Sequence, residues 1–224
     1  MGYYINFIEI SIDEFRDKLK GADLLPSRVL LKTDLERRFE LFKQHGVRNL
    51  LELQQFLKKT TNTELLARSG LVTEDYLKVL LREINSMQPK PCKIEEFTML
   101  DKTTVQKLSD MGIRTTLQLF DYVCKASARK ALAENTGIPE DELKLLSSLT
   151  DLNRVRWVGA TFAQMLYKCG YTSAKVLATA NYETLHSQIN RLNKDSQFFK
   201  GAIGLHDMKL CVEAASDVTG GMEI

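Results

Sequence analysis

The sequence predicts an all-α protein, with three tandem helical repeats behind a short N-terminal β-strand. After Ser11, apolar residues recur three and four positions apart, the spacing of one helix face, as in Leu35, Phe39 and Phe42. Ser or Thr followed by Glu three residues later precedes several of these stretches, which is typical of helix starts. A glycine-centred pattern occurs three times along the chain, which indicates internal repetition.

The first ten residues, MGYYINFIEI, are rich in Tyr, Ile and Phe, a composition that predicts a strand. A lone strand leaves backbone hydrogen-bonding groups unpaired along its edge. Two arrangements therefore remain open: the strand pairs with its copy in a homodimer, or the segment lies extended across helices.

Capping boxes, in which Ser or Thr is followed three residues later by Glu, predict helix starts at Ser11, Thr33 and Thr61. Pro26 predicts a turn between the first two helices. The segment Gln88–Lys93 holds the only closely spaced pair of prolines, and each proline disfavours helix in the residue before it. We expect the boundary between two helical units at this segment.

Each predicted repeat contains a helix end, a glycine, one apolar residue, a short polar link and a new helix. Glycine suits such a helix end because it readily adopts the left-handed conformation. The first glycines are Gly46, Gly112 and Gly170, and second glycines follow at Gly70, Gly137 and Gly204. The predicted divisions are residues 1–90 for the strand and first repeat, 94–151 and 152–218 for the paired second and third repeats, and 219–224 for a frayed tail.

The segment LNRVRWVGATFAQMLYKCG, from Leu152 to Gly170, resembles a helix-hairpin-helix motif. The resemblance implies a tight link at Gly159, a small residue at Ala163 where helices approach, and backbone N–H groups that bind a nucleic-acid phosphate. Such contacts do not read sequence. Trp157 departs from the pattern, since it stands where the motif has its first glycine.

Charge distribution favours the same segment. The chain holds 31 basic and 29 acidic residues, a net charge of +2, yet residues 152–210 carry eight basic and three acidic side chains, an excess of five. We therefore expect weak, sequence-independent binding of a DNA or RNA backbone, with neither enzymatic activity nor a cofactor or metal. The predicted binding residues are Arg154, Arg156, Val158, Gly159, Ala160, Thr161, Lys168 and Lys200.

The alternative is a protein-interaction scaffold of degenerate hairpins that binds no nucleic acid. Asp101 stands at the position of Gly159 in the second repeat, where a carboxylate would repel phosphate. The first repeat has no glycine at the corresponding place, near Leu35. In this interpretation Trp157 is a hairpin anchor packed in the core.

Several functional classes are disfavoured. The chain contains no GxxxxGK[ST], GxSxG, HExxH or GxGxxG motif. Its four cysteines form no CxxC pair, which predicts scattered free thiols rather than a zinc site. Apolar runs are too short for a membrane-spanning helix, which needs roughly 20 residues, and the N-terminus does not resemble a signal peptide. The expected compartment is the cytoplasm.

Residues 94–215 resemble the uncharacterised helical family known as domain of unknown function 4332. The resemblance rests on the Gly-Ile-Arg-Thr-Thr-Leu link at residues 112–117, the Thr-Gly-Ile step at 136–138, and the segment at 179–186. It implies paired repeats similar to helix-hairpin-helix units. It adds no function, because a fold does not determine function.

Overall fold

In the computed structural model the chain is all-α over the described residues, which are 2–68, 70–218 and 220–224. The chain divides into two compact units. The N-terminal unit holds residues 6–88, and the C-terminal unit holds residues 2–5 together with 89–224. Within the described ranges, no helix combines the length and apolar character needed to cross a membrane.

The N-terminal unit contains five α-helices and a 3-10 turn at Pro26–Lys32. The helices are α1 (Ile12–Gly21), α2 (Leu35–Gln44), α3 (Leu50–Lys58), α4 (Thr60–Arg68) and α5 (Glu74–Ser86). Helix α1 packs on α2, and α3 packs on α5. The predicted apolar face of α2 is buried, and the rings of Phe15, Phe39 and Phe42 meet at centroid distances of 6.0 and 5.7 Å.

Of the three predicted capping boxes in this unit, the one at Ser11 is confirmed. Glu14 N donates to Ser11 Oγ, and Ser11 N donates to the Glu14 carboxylate. The prediction at Thr33 is wrong, because Thr33 closes the preceding 3-10 turn by donating its amide to Leu30 O, and Asp34 precedes α2. The prediction at Thr61 is also wrong, since α4 already begins at Thr60.

The C-terminal unit has a 3-10 turn at Ile94–Glu96 and eight α-helices among its described residues. They are α6 (Lys102–Asp110), α7 (Thr116–Val123), α8 (Ala126–Thr136), α9 (Glu140–Asn153), α10 (Ala160–Lys168), α11 (Ala174–Ala178), α12 (Tyr182–Ser196) and α13 (Leu205–Ser216). Helix α9 contacts α7, α8 and α10, whereas α13 contacts α11 and α12.

Helix α9 is the central helix of this unit. Every residue from Leu146 to Asn153 is buried, polar side chains included. A helix that is buried on all faces must satisfy its polar groups with protein partners. Ser147 Oγ donates to Val123 O at 2.9 Å, and Asn153 joins a network described below. The last turn of α9 thereby orients the link that leads to α10.

The predicted glycine-ended helices are confirmed at the first glycine of each repeat. Gly46, Gly112 and Gly170 have φ angles of +80°, +79° and +91°. The following residue then donates its N–H to a carbonyl five positions earlier, the hydrogen bond that closes a helix end. These bonds join Val47 to Phe42, Ile113 to Leu108 and Tyr171 to Leu166. Gly204 differs, since it precedes α13 as its N-cap.

The predicted N-terminal strand is corrected: no strand occurs among the described residues. Residues 2–5 instead lie against the C-terminal unit, which agrees with the extended arrangement and also corrects the proposed division at residues 1–90. The backbone carbonyls of Gly2 and Tyr3 accept hydrogen bonds from Arg154. A side chain thus supplies partners that a neighbouring strand would otherwise provide.

The predicted frayed tail is also corrected for residues 220–224, while Thr219 lies outside the described residues. Met222 is buried with the core of the C-terminal unit. Glu223 donates its backbone N–H to Cys124 O at 3.0 Å, and its carboxylate accepts from Ala126 N, at the start of α8, at 2.8 Å. These contacts hold the tail, because a carboxylate at a helix N-terminus is electrostatically favourable.

Stability of the C-terminal unit should fall as pH rises above 9. Burial raises the pKa of the Cys211 thiol from 9.0 to about 12. The unfolded thiol therefore ionises in a pH window, roughly 9 to 12, in which the folded thiol stays protonated, so ionisation favours the unfolded chain. When the pH rises from 8 to 10.5, the free energy of unfolding should fall in the parent protein by about 2 kcal/mol more than in Cys211→Ala. Urea unfolding at both pH values measures this difference, and an equal loss in both proteins would contradict it.

Candidate nucleic-acid interface

Buried groups hold the link between α9 and α10, residues 154–159, in place. Asn153 Nδ2 donates to Val158 O at 2.7 Å, and Val158 N donates to Val155 O at 3.1 Å. The side chains of Val155 and Val158 are buried. This anchoring leaves Trp157 and Gly159 on the exposed side of the link.

Arg154 does not belong to the surface, which corrects its assignment as a phosphate contact. Its side chain is 2% exposed and lies 2.6 Å from the equally buried Asp151 carboxylate. The same guanidinium donates to Tyr3 O at 3.0 Å and Gly220 O at 3.2 Å. The charge of Arg154 is therefore paired inside the C-terminal unit and does not face a ligand.

Trp157 lies in the left-handed region at φ +68°, the conformation that glycine adopts most easily. A bulky residue there is an outlier that costs of order 1–3 kcal/mol. Its side chain is nevertheless 44% exposed, so Trp157 is not the buried anchor of the scaffold hypothesis. The Arg156 guanidinium lies 4.1 Å from the indole centroid, a cation–π contact that orients both groups.

The N-cap of helix α10 is the exposed Gly159, and no side chain among the described residues caps this helix. Within the part of the chain that the structure describes, a Cβ built at Gly159 would meet no neighbouring atom within 4 Å, so the surroundings are spacious. By contrast Asp101, the corresponding residue of the second repeat, caps α6 with its own carboxylate, which accepts from Thr103 N at 2.8 Å. Of the two helix starts, only that of α10 therefore leaves room for an external anion.

The backbone donors at this helix start are Thr161 and Phe162. The first N–H groups of a helix have no intrahelical partner. Val158 N–H already donates to Val155 O, and Ala160 N–H donates to the Cys92 thiol. Burial raises the pKa of this thiol, and the hydrogen bond from Ala160 offsets part of the rise. The prediction that Val158 and Ala160 contact phosphate is therefore corrected, because their N–H groups are bonded within the protein. Gly159 and Thr161 remain candidate phosphate contacts.

Lys200 lies in the loop that follows α12, and this loop contacts the first turn of α10. The Phe199 ring lies 6.5 Å from the Phe162 ring, centroid to centroid. Asn193 fixes the loop by donating to Phe199 O and Gly201 O, at 3.2 and 3.1 Å. The exposed Lys200 is therefore the direct neighbour in sequence of a residue that contacts the first turn of α10.

Lys168 lies at the other end of α10 and contacts the same loop. It sits at the far end of α10, about 12 Å along the helix axis from Ala160. Its ammonium lies 5.1 Å from the centroid of the Phe198 ring. The structure therefore places Arg156, Gly159 and Thr161 at the start of α10. Lys200 lies in a loop that contacts both ends of this helix, through Phe199 at Phe162 and through Phe198 at Lys168.

Two aromatic residues of this surface, Phe162 and Phe199, were absent from the residues predicted from sequence. The sequence carries a signal at Phe199, which adjoins Lys200 in the polar stretch 193–201, and in the structure this residue is 41% exposed. We define the α10 surface as Arg156, Trp157, Gly159, Thr161, Phe162, Phe199 and Lys200.

The excess of basic residues in the third predicted repeat becomes smaller once the buried Arg154 is left out of the count. Arg154 is paired with Asp151, which lies just outside residues 152–210. Seven other basic side chains remain against Glu183, Asp195 and Asp207, an excess of four. Of the basic residues, Lys168, Lys175, Arg191, Lys194 and Lys200 are exposed.

Fold and site together define an all-α protein in which several short helices end at left-handed glycines. Its third predicted repeat carries a link with the exposed Trp157 and the partly exposed Arg156. The chain belongs to the family described as Domain of unknown function (DUF4332), which matches residues 99–217, more than half of the chain. This match confirms the family indicated by the sequence motifs. Neither the curated proteins nor the solved structures include a match to the chain.

Proposed function

We propose that the α10 surface binds the phosphate backbone of DNA or RNA weakly and without sequence preference, as a non-enzymatic contact. The observation that carries the proposal is the start of α10, where Gly159 is exposed, Arg156 lies three positions before it, and no described side chain caps the helix. The N–H groups of Thr161 and Phe162 and the positive end of the helix dipole suit a phosphate oxygen.

The small number of charges supports weak binding. Arg156 and Lys200 are the basic residues of the α10 surface, so few counterions would be released from the nucleic acid. Backbone contacts carry no sequence information. Dissociation constants in the range of about 10⁻⁴ to 10⁻⁶ M are therefore expected at moderate salt.

We further propose that the fold consists of three diverged repeats similar to helix-hairpin-helix units, of which only the third binds phosphate. The shared glycine-ended helices support this interpretation. Further support comes from two isolated backbone bridges, Ser11 with Asn49 in the N-terminal unit and Lys93 with Thr115 in the C-terminal unit, each involving the N-cap residue of a helix. Four free cysteines support a reducing compartment, and we propose the cytoplasm.

Replacing either basic residue of the α10 surface, the partly exposed Arg156 or the exposed Lys200, should weaken binding in a salt-dependent way. For Arg156→Ala and for Lys200→Ala we expect lower affinity for a labelled 20-base-pair duplex, and a salt slope reduced by about 0.9 for each lost phosphate contact. Fluorescence anisotropy at several salt concentrations measures both quantities.

Lys130→Ala provides the matched control, because Lys130 is an exposed basic residue of α8 in the second repeat. Its substitution should leave affinity and salt slope unchanged. Absence of binding at about 100 µM protein and low salt would refute the proposal. Equal binding by all three variants would refute the placement of the site.

The alternative function is a protein-interaction scaffold. It is favoured by three exposed apolar side chains in and before α7, Met111, Leu117 and Tyr122, which are 41–44% exposed. Single exposed apolar residues are common on soluble proteins, so we rank this function second. A homodimer formed through an N-terminal strand is no longer proposed, because residues 2–5 are part of the C-terminal unit.

A further inference from the structure

We propose that the α10 surface takes single-stranded nucleic acid, with an unpaired base stacked on the indole of Trp157. This inference rests on the proposed function and adds the class of ligand. Phosphate contacts alone do not distinguish a single strand from a duplex. An exposed aromatic ring beside the phosphate site makes this distinction, because it can stack on an unpaired base.

The first observation is the exposure of Trp157 in a conformation that disfavours it. Glycine would satisfy φ +68° without strain, yet the chain carries its only tryptophan there, with 44% of the residue exposed. The other described non-glycine residues with positive φ are Asp34 and Gln197, which are smaller and polar. Strain of this kind at an exposed residue is a reason to suspect function.

The second observation is the contact between Arg156 and the indole. The guanidinium lies 4.1 Å from the ring centroid, so the indole is oriented and a positive charge accompanies it. Aromatic rings joined with basic groups are the usual means of binding single strands, since the ring stacks on a base and the cation follows the backbone.

The third observation is the short distance between the indole and the proposed phosphate site. Trp157 precedes the first residue of α10 by three positions, so their Cα atoms lie within about 11 Å. Aromatic Phe199, next to Lys200, contacts the first turn of the same helix. A base and its own phosphate could therefore be held together by one short segment of the chain.

A duplex suits this arrangement less well, because the faces of paired bases are covered by their neighbours in the stack. An unpaired base offers a free π-face, and every base has one, so stacking tolerates any sequence. DNA and RNA single strands share this chemistry.

The test compares three probes on the full-length protein: a dT12 single strand, a 12-nucleotide abasic oligomer with the same phosphate backbone, and a 12-base-pair duplex. We expect dT12 to bind about tenfold more tightly than the abasic oligomer, a plausible effect for one stacked base. Because Trp157 is the only tryptophan, its fluorescence should change with dT12 and stay constant with the abasic oligomer.

Trp157→Gly is the decisive variant, since glycine suits the local backbone and the fold should be retained, as checked by circular dichroism. It should lose the preference for dT12 over the abasic oligomer, because the stacking ring is gone. Trp157→Phe should keep part of the preference, because it retains an aromatic ring, and this variant serves even if Trp157→Gly fails to fold.

The outcomes separate the two proposals. If the parent protein binds dT12 and the abasic oligomer equally, base stacking is wrong while backbone binding stands. If Trp157→Gly keeps the preference for dT12, the role of the indole is wrong. If none of the probes binds, the proposed function fails and this inference fails with it.

Discussion

Arg154→Ala should lower the free energy of unfolding of the C-terminal unit by about 3–5 kcal/mol. The substitution removes one partner of a buried ion pair and leaves the Asp151 carboxylate, 2% exposed, without its cation. It also removes the donor to the carbonyls of Tyr3 and Gly220. An uncompensated buried charge is among the most destabilising changes that a single substitution can make.

Urea unfolding followed by the fluorescence of Trp157 measures this effect, because the single tryptophan reports on the C-terminal unit. Arg191→Ala is the matched control: it removes the same side chain at an exposed position of α12 and should change stability by no more than about 0.5 kcal/mol. Similar midpoints for the two variants would contradict the structural role of Arg154. For the same reason, loss of nucleic-acid binding in an Arg154→Ala variant would not identify a phosphate contact.

Tyr3→Ala should destabilise the same unit by about 3–5 kcal/mol, although Tyr3 lies far outside the family-matched residues 99–217. The side chain is 5% exposed, and its ring makes an edge contact with Phe120 at 5.7 Å. Its hydroxyl donates to Asn153 Oδ1 at 2.8 Å, and it lies 2.8 Å from Thr116 Oγ1. Removing the ring creates a cavity and leaves these polar groups with fewer partners.

Tyr3→Phe separates the two contributions, because it keeps the ring and removes only the hydroxyl. We expect a loss of about 1–3 kcal/mol for this variant. Tyr122→Ala, at an exposed position of α7, is the control and should be close to neutral. If Tyr3→Ala matched Tyr122→Ala in urea, residues 2–5 would not be an integral part of the C-terminal unit.

The network around Asn153 explains why both predictions concern the same unit. Asn153 Oδ1 accepts from Tyr3, from Thr116 and from Cys92 N, while its Nδ2 holds the link to α10. Buried polar groups that are fully satisfied specify one arrangement of the elements they join. The N-terminal residues and the α10 surface are thus positioned by one side chain at the end of α9.

Features that depend on neighbouring residues could be predicted from the sequence. The capping box of Ser11 and Glu14 is confirmed, as are the left-handed helix ends at Gly112 and Gly170. Each involves groups within about five positions of one another, so the residue types alone carry the information.

The candidate site could be predicted only in part. Gly159 is exposed and Arg156 is partly exposed, whereas Arg154, two positions before Arg156, is buried. The sequence offers no local difference between these two arginines. Only the burial of the last turn of α9 distinguishes them, by directing Arg154 toward Asp151.

The sequence by itself determined the all-α class, the family and the helix ends of this protein, because periodicity, caps and glycines act over a few residues. Tertiary structure alone decided that residues 2–5 complete the C-terminal unit and that Arg154 lies inside it. The partners concerned, Tyr3 and Arg154, are 151 positions apart. Contacts at such separations depend on how the helices pack, and no local pattern in the chain encodes that packing.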